Sequence, residues 1–142
     1  MTGFDKVFID TAPFIYFQER NDVFVGKVAD FFGYCIDNDK LLVTSMVALE
    51  EFAVGPYKND DEKLIDDFQA FLKDTGTTVV SIDEDISYEA ARIRAKYTGF
   101  KGMDALQLAS ANCSECDMFL TNDRQLRQYT DIKVITVEEL VI

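Results

Sequence analysis

The sequence predicts an α/β fold: a three-layer α/β/α sandwich around a mainly parallel central sheet of about five strands. Two observations carry this. Short apolar, β-branched runs alternate with amphipathic helical stretches from one end of the chain to the other, as βα units do. The 142 residues also contain no internal repeat, low-complexity tract or Pro/Ser-rich linker, so one domain over residues 1–142 is expected.

The strands are expected at residues 6–10, 41–44, 78–81, 118–121 and 133–136. After the first, Thr11-Ala12-Pro13 opens a helix, with Pro13 suited to a first helical position. Phe24, Val28, Phe31, Phe32, Cys35 and Ile36 recur at helical spacing and form one apolar stripe. Leu64, Ile65, Phe68, Phe71 and Leu72 form another, and Ile86, Ala90, Ile93 and Tyr97 a third, before a break at residues 99–102. Two more helices are expected to begin near Ser45 and Met103. Gly55-Pro56 and the polar segment 58–62 read as a loop and a helix start within the domain. Residues 137–142 are expected to form a short terminal helix or strand.

Composition excludes several chemistries. There are 26 Asp and Glu against 14 Lys and Arg, a formal charge of −12, so the surface as a whole repels a phosphate backbone at long range. Histidine is absent, which removes Ser-His-Asp and Cys-His nucleophile pairs and His-ligated zinc. No Walker-type glycine loop is present either. With three cysteines, no apolar run of membrane-spanning length and nothing like a signal peptide, the expected address is the cytoplasm, with no membrane association.

What remains is carboxylate chemistry. Asp10 in VFIDTAPFIYF, Glu51 in VTSMVALEEF, Asp104 in GMDALQLASA and Asp123 in FLTNDRQL each fall at a strand end or a helix start. Each has an ordinary structural explanation. Asp10 or Thr11 would cap a helix, Asp104 would cap the apolar helix it heads, and Asp123 would form a turn at a strand exit. Glu51 belongs to a Glu pair that would suit a solvated face, and Glu50, about 100° away around the helix, competes with it. Convergence of all four at one edge of a sheet would instead make an oxygen-lined pocket suited to Mg²⁺ or Mn²⁺, where open α/β sheets bind ligands. Their mutual repulsion would raise their pKa values until a cation is bound.

These motifs, in this order, resemble the PIN-domain ribonucleases, the family that includes the VapC-type toxins of toxin–antitoxin pairs. The likeness runs over nearly the whole chain, through FIDTAPFIYF, TSMVALEEFAVG, MDALQLASA and FLTNDRQL. It implies Asp10, Glu51, Asp104 and Asp123 as both catalytic and metal-binding residues, with one or two Mg²⁺ or Mn²⁺ ions activating a water. Thr11 and Thr121 would be supporting hydroxyls, joined by Ser45 and Asn122. The spacing of Ser45, Glu51 and Gly55 matches the family and favours Glu51 over Glu50. The implied activity is a metal-dependent endoribonuclease, the toxin of a toxin–antitoxin pair, with an antitoxin partner and a homodimeric state. The alternatives are a PIN-like module that binds RNA or protein without cutting, and a phosphohydrolase of small phosphate esters.

The acidity is a departure from that family. Even two bound Mg²⁺ ions would take −12 only to about −8. The segment 90–103 supplies Arg92, Arg94, Lys96 and Lys101 without an acid, and Arg124 and Arg127 would extend it beside Asp123. These basic residues either contact RNA or form a solvated helix face. Cys113-Ser114-Glu115-Cys116 lacks the further ligands a zinc site needs and reads as ordinary thiols. The aromatic cluster from Phe14 to Tyr34 reads as core, with part of it available to a dimer or antitoxin groove.

Overall fold

A computed structural model of the chain describes residues 3–141. Its sheet is formed by β1 (Lys6–Ile9), β2 (Leu41–Ser45), β3 (Thr78–Val80), β4 (Met118–Thr121) and β5 (Lys133–Thr136), in the order β3-β2-β1-β4-β5. All four pairings are parallel, with Val7 opposite Leu42 on one side and Met118 on the other. The helices are α1 (Thr11–Gln18), α2 (Val25–Asp37), α3 (Met46–Lys58), α4 (Glu62–Asp74), α5 (Glu84–Lys96) and α6 (Gly102–Cys113). Short 3₁₀ turns follow β4 and β5, at Arg124–Gln128 and Val137–Glu139. Residue 142, the end of the expected terminal element, lies outside the described residues.

The strands are apolar because both faces of the sheet are covered. Alternate side chains of β1 and β4 enter two separate cores. Val7, Ile9, Met118 and Leu120 meet Phe14, Phe31, Phe32, Phe52 and Phe68 of α1 to α4. Phe8 and Phe119 meet Ala90, Ile93, Ala105, Leu108 and Leu126 on the opposite face. Their two rings stack with centroids 5.2 Å apart, which pins the β1–β4 register at the centre of the sheet.

Several local expectations are corrected. Gly55-Pro56 is not a loop, since α3 continues through it to Lys58. Proline is tolerated so near the helix end because only one intrahelical bond is lost there, and the Pro56 carbonyl accepts from Asp61 N at 2.8 Å. Pro13 is the third residue of α1 rather than the first, because Asp10 caps the helix and Thr11 begins it. The third strand stops at Val80, one residue short of Ser81. Ile36 leaves the α2 stripe and is exposed.

Candidate active site

The chain runs outward from β1 through β2 to β3, then returns across the sheet to β4. The gap between β1 and β4 at their carboxyl ends is thus the switch point where open α/β sheets take ligands. Asp10 follows β1 directly, and its backbone N–H continues the pairing with a 2.9 Å bond to Leu120 O. Ser45 ends β2 and caps α3, accepting from Val47 N at 3.2 Å, so the first turns of α3 carry Glu51 over the same edge. Thr121 ends β4, and Asp123 then caps the following 3₁₀ turn, its Oδ1 accepting from Gln125 N at 3.0 Å. Asp104 is not the cap of α6. It is the third helical residue, and its carboxylate accepts from the backbone N–H of Lys101 at the cap position.

Hydrogen bonds tie these elements together. Asp10 Oδ1 accepts from Thr11 N at 2.8 Å and from Gln107 Nε2 at 3.3 Å, and Oδ2 accepts from Thr121 Oγ1 at 2.7 Å. Thr11 Oγ1 donates to Glu51 Oε1 at 2.7 Å. This separates the neighbouring glutamates: Glu51 is half-buried and engaged with Thr11, whereas Glu50 is exposed. Thr121 Oγ1 also accepts from Asp123 N at 3.1 Å. Asn122 Nδ2 donates to Tyr16 Oη at 2.6 Å.

Gln107 was missed from sequence. Its amide is fully buried, accepts from Ser45 Oγ, and donates to Asp10 and to Thr11 Oγ1 at 3.3 Å. A glutamine inside so apolar a helix needs polar partners, and it sits three residues beyond Asp104 on the same helical face. Those two facts were the available signal.

Charge is under strain here. Burial pushes the Asp10 carboxyl from 3.8 up to about 6; the Thr121 and Thr11 hydrogen bonds oppose the shift, and the charges of Asp104 and Glu51 add to it. Asp104 is raised as well, first by burial and then by Asp123, with Glu51 contributing. A cation would relieve both.

The donors fit a hard divalent ion. Every side chain at the centre offers oxygen, and each carboxylate is oriented by a neighbour's hydrogen bond while keeping lone pairs free. Among the described residues, however, no three His, Cys, Asp or Glu side chains are gathered closely enough to hold one ion. The arrangement therefore suits a hydrated ion held through one or two carboxylates, which is how Mg²⁺ is commonly bound.

Glu51, Asp104 and Asp123 line a cleft of about 620 Å³ together with Arg94, Lys101 and Met103. The other basic candidates are engaged elsewhere. Arg92 pairs with Glu89 at 2.8 Å, Lys96 lies 5.5 Å over the Tyr97 ring, and Arg124 and Arg127 pair with Glu138 and Glu139. Cys113 is exposed and Cys116 buried at the far end of α6.

A family model described as PIN domain matches residues 7–132. No curated protein matches the chain in sequence. Among solved structures, a chain of VapBC2 from Rickettsia felis, bound to a DNA fragment from its promoter, superimposes with TM-score 0.75 at 13% identity, covering 92% of this chain and 98% of that one. A chain of DNA-bound VapBC from Salmonella typhimurium gives TM-score 0.75 at 19% identity, with 93% and 98% covered. VapC20 of Mycobacterium tuberculosis, described as a toxin that cleaves the sarcin-ricin loop, gives 0.67 at 15% identity, with 89% and 98% covered. These likenesses establish the common fold. No helix among the described residues is long and apolar enough to cross a membrane.

Proposed function

The chain belongs to the PIN domain family, a family of nucleases, and on that premise we propose that it is a Mg²⁺- or Mn²⁺-dependent endoribonuclease, the toxin of a toxin–antitoxin pair. The observation that carries this reading is the convergence of Asp10, Glu51, Asp104 and Asp123 from four elements onto the switch-point edge, three of them in one cleft.

Asp10, Glu51, Asp104 and Asp123 would hold one or two hydrated ions, each ion through one or two of these carboxylates and the rest of its shell through water. When bound, Mg²⁺ or Mn²⁺ would polarise a water for attack at phosphorus and neutralise charge on the leaving oxygen. Thr11, Thr121 and Gln107 fix the rotation of the Asp10 and Glu51 carboxylates, so no reorganisation is needed when charge develops. The absence of histidine fits a site in which carboxylates and water carry the proton traffic.

Support for an antitoxin partner comes from the fold shared with chains of VapBC complexes. A homodimer is the state we propose for the free protein, supported by Met46, Val54 and Tyr57, which are exposed along α3. We assign the activity to a single cytoplasmic domain.

The test is cleavage of a mixed RNA pool by purified protein with Mn²⁺, beside Asp10→Asn and an EDTA control. Metal-dependent cuts that vanish in the variant are expected. Cutting retained by Asp10→Asn would overturn the assignment.

A further inference from the structure

We propose that Arg94 and Lys101 form a phosphate clamp in the cleft, holding an RNA phosphodiester adjacent to the one presented to the carboxylates. This inference rests on the ribonuclease reading and answers a question that reading leaves open: how a chain of net charge −12 retains a polyanion.

Three observations support it. First, Arg94 and Lys101 line the same cleft as Glu51, Asp104 and Asp123. Second, the five ion pairs among the described residues take in Arg92, Arg124 and Arg127 but neither of these two. Both cations share a cleft with three carboxylates and, among the described residues, form a salt bridge with none of them, which leaves their donors available to a ligand. Third, the Arg94 guanidinium lies against Gly102, where an added β-carbon would come 3.8 Å from Nη1 and 4.0 Å from Cζ. That is ordinary van der Waals contact, so the guanidinium lies beside the start of α6, next to Lys101 and two residues from Asp104.

Acid and base in one cleft are complementary to a nucleic-acid strand with a bound cation. The carboxylates would hold the cation, and one phosphodiester would bind beside them against its charge. The next phosphodiester along a single strand needs a separate positive partner, and the planar five-donor guanidinium suits phosphate oxygens. Arg92 is two residues from Arg94 and so points to another side of α5, which explains why only one of the two reaches the cleft.

The experiment measures binding of a short fluorescein-labelled single-stranded RNA to the full chain at a series of KCl concentrations, in an Asp10→Asn background with Mg²⁺ so that no cutting intervenes. Arg94→Ala and Lys101→Ala are each expected to weaken binding about tenfold. Each should also flatten the slope of log K against log salt by about 0.7, and the double variant by about 1.4. Arg94→Lys should keep the slope, while Arg92→Ala should change neither quantity. An unchanged slope in the double variant, or an equal effect from Arg92→Ala, would overturn the clamp.

RNA cleavage by the otherwise wild-type chain, measured in parallel, separates the two levels. If it cuts RNA and the Arg94→Ala, Lys101→Ala protein cuts with the same KM, the clamp alone is wrong. If the parent chain neither binds nor cuts RNA, the ribonuclease reading fails and the clamp with it.

Discussion

Gln107 Nε2 lies 3.3 Å from Asp10 Oδ1, although 97 positions separate the two residues in sequence. The same amide accepts from Ser45 and donates to Thr11, so one buried side chain links β1, β2, α1 and α6 beneath the carboxylates. Gln107→Leu keeps the volume but strands the Ser45 hydroxyl and frees Asp10 to rotate. A loss of about 2 kcal/mol in urea unfolding is expected, with cleavage falling at least about tenfold while the far-ultraviolet dichroism is unchanged. Wild-type stability and rate in this variant would show the network to be incidental.

Asp10 sets a pH dependence with a definite sign. Its pKa rises from 3.8 in the unfolded chain to about 6 in the fold, so the folded protein binds this proton more tightly. Stability from this group is present in full below about pH 3.8 and is lost as pH climbs through 6, a change of about 3 kcal/mol. Asp10→Asn removes the carboxylate. At pH 7.5 without metal its Tm should exceed that of the wild type by about 10 °C, a gap that closes at pH 4. A variant melting below the wild type at pH 7.5 would contradict this.

Metal binding should offset the same cost of a buried carboxylate charge. Mn²⁺ at about 100 times its Kd is expected to add ~2.7 kcal/mol of stability, reversed by EDTA. Asp104→Asn should show a much smaller shift under identical conditions, and equal shifts in the two proteins would place the ion elsewhere.

The two adjacent glutamates give a sharp contrast. Glu51→Gln should abolish cleavage, because this carboxylate faces Thr11 and the cleft, whereas the exposed Glu50→Gln should cut at close to the wild-type rate. Cleavage assays of both variants at matched concentration decide it, and the reverse ranking would move the ligand by one position.

Much of this arrangement was legible from sequence. The strands stood out because a sheet covered on both faces must be apolar throughout, as Val7, Phe8 and Ile9 are. Asp10, Asp104 and Asp123 stood out because each follows a strand or lies in the first turn of a helix, whereas Glu51, in the second turn of α3, stood out only by its spacing from Ser45. Helix ends were harder to read. Four helix exits are turned by Arg20, Asp39, Asp60 and Glu115 at positive φ, where glycine is the usual marker. The Gly-Pro pair that does look like a stop lies inside α3. Gln107 was hidden for a different reason: its role depends on contacts 62 and 97 positions away, and spacing within a motif carries no trace of them. Likewise, choosing Arg94 over Arg92 required knowing which of two near neighbours finds Glu89 first.

The position of β4 beside β1 has a consequence for timing. Thr121 meets Asp10 across 111 positions, so a chain emerging from a ribosome has its first two acids available long before the other half of the cleft exists. Until β4 threads in beside β1, the nascent protein has neither the Thr121 bond that orients Asp10 nor Asp123. For the ribonuclease proposed above, the cleft is thereby incomplete while the message encoding the chain is still being read.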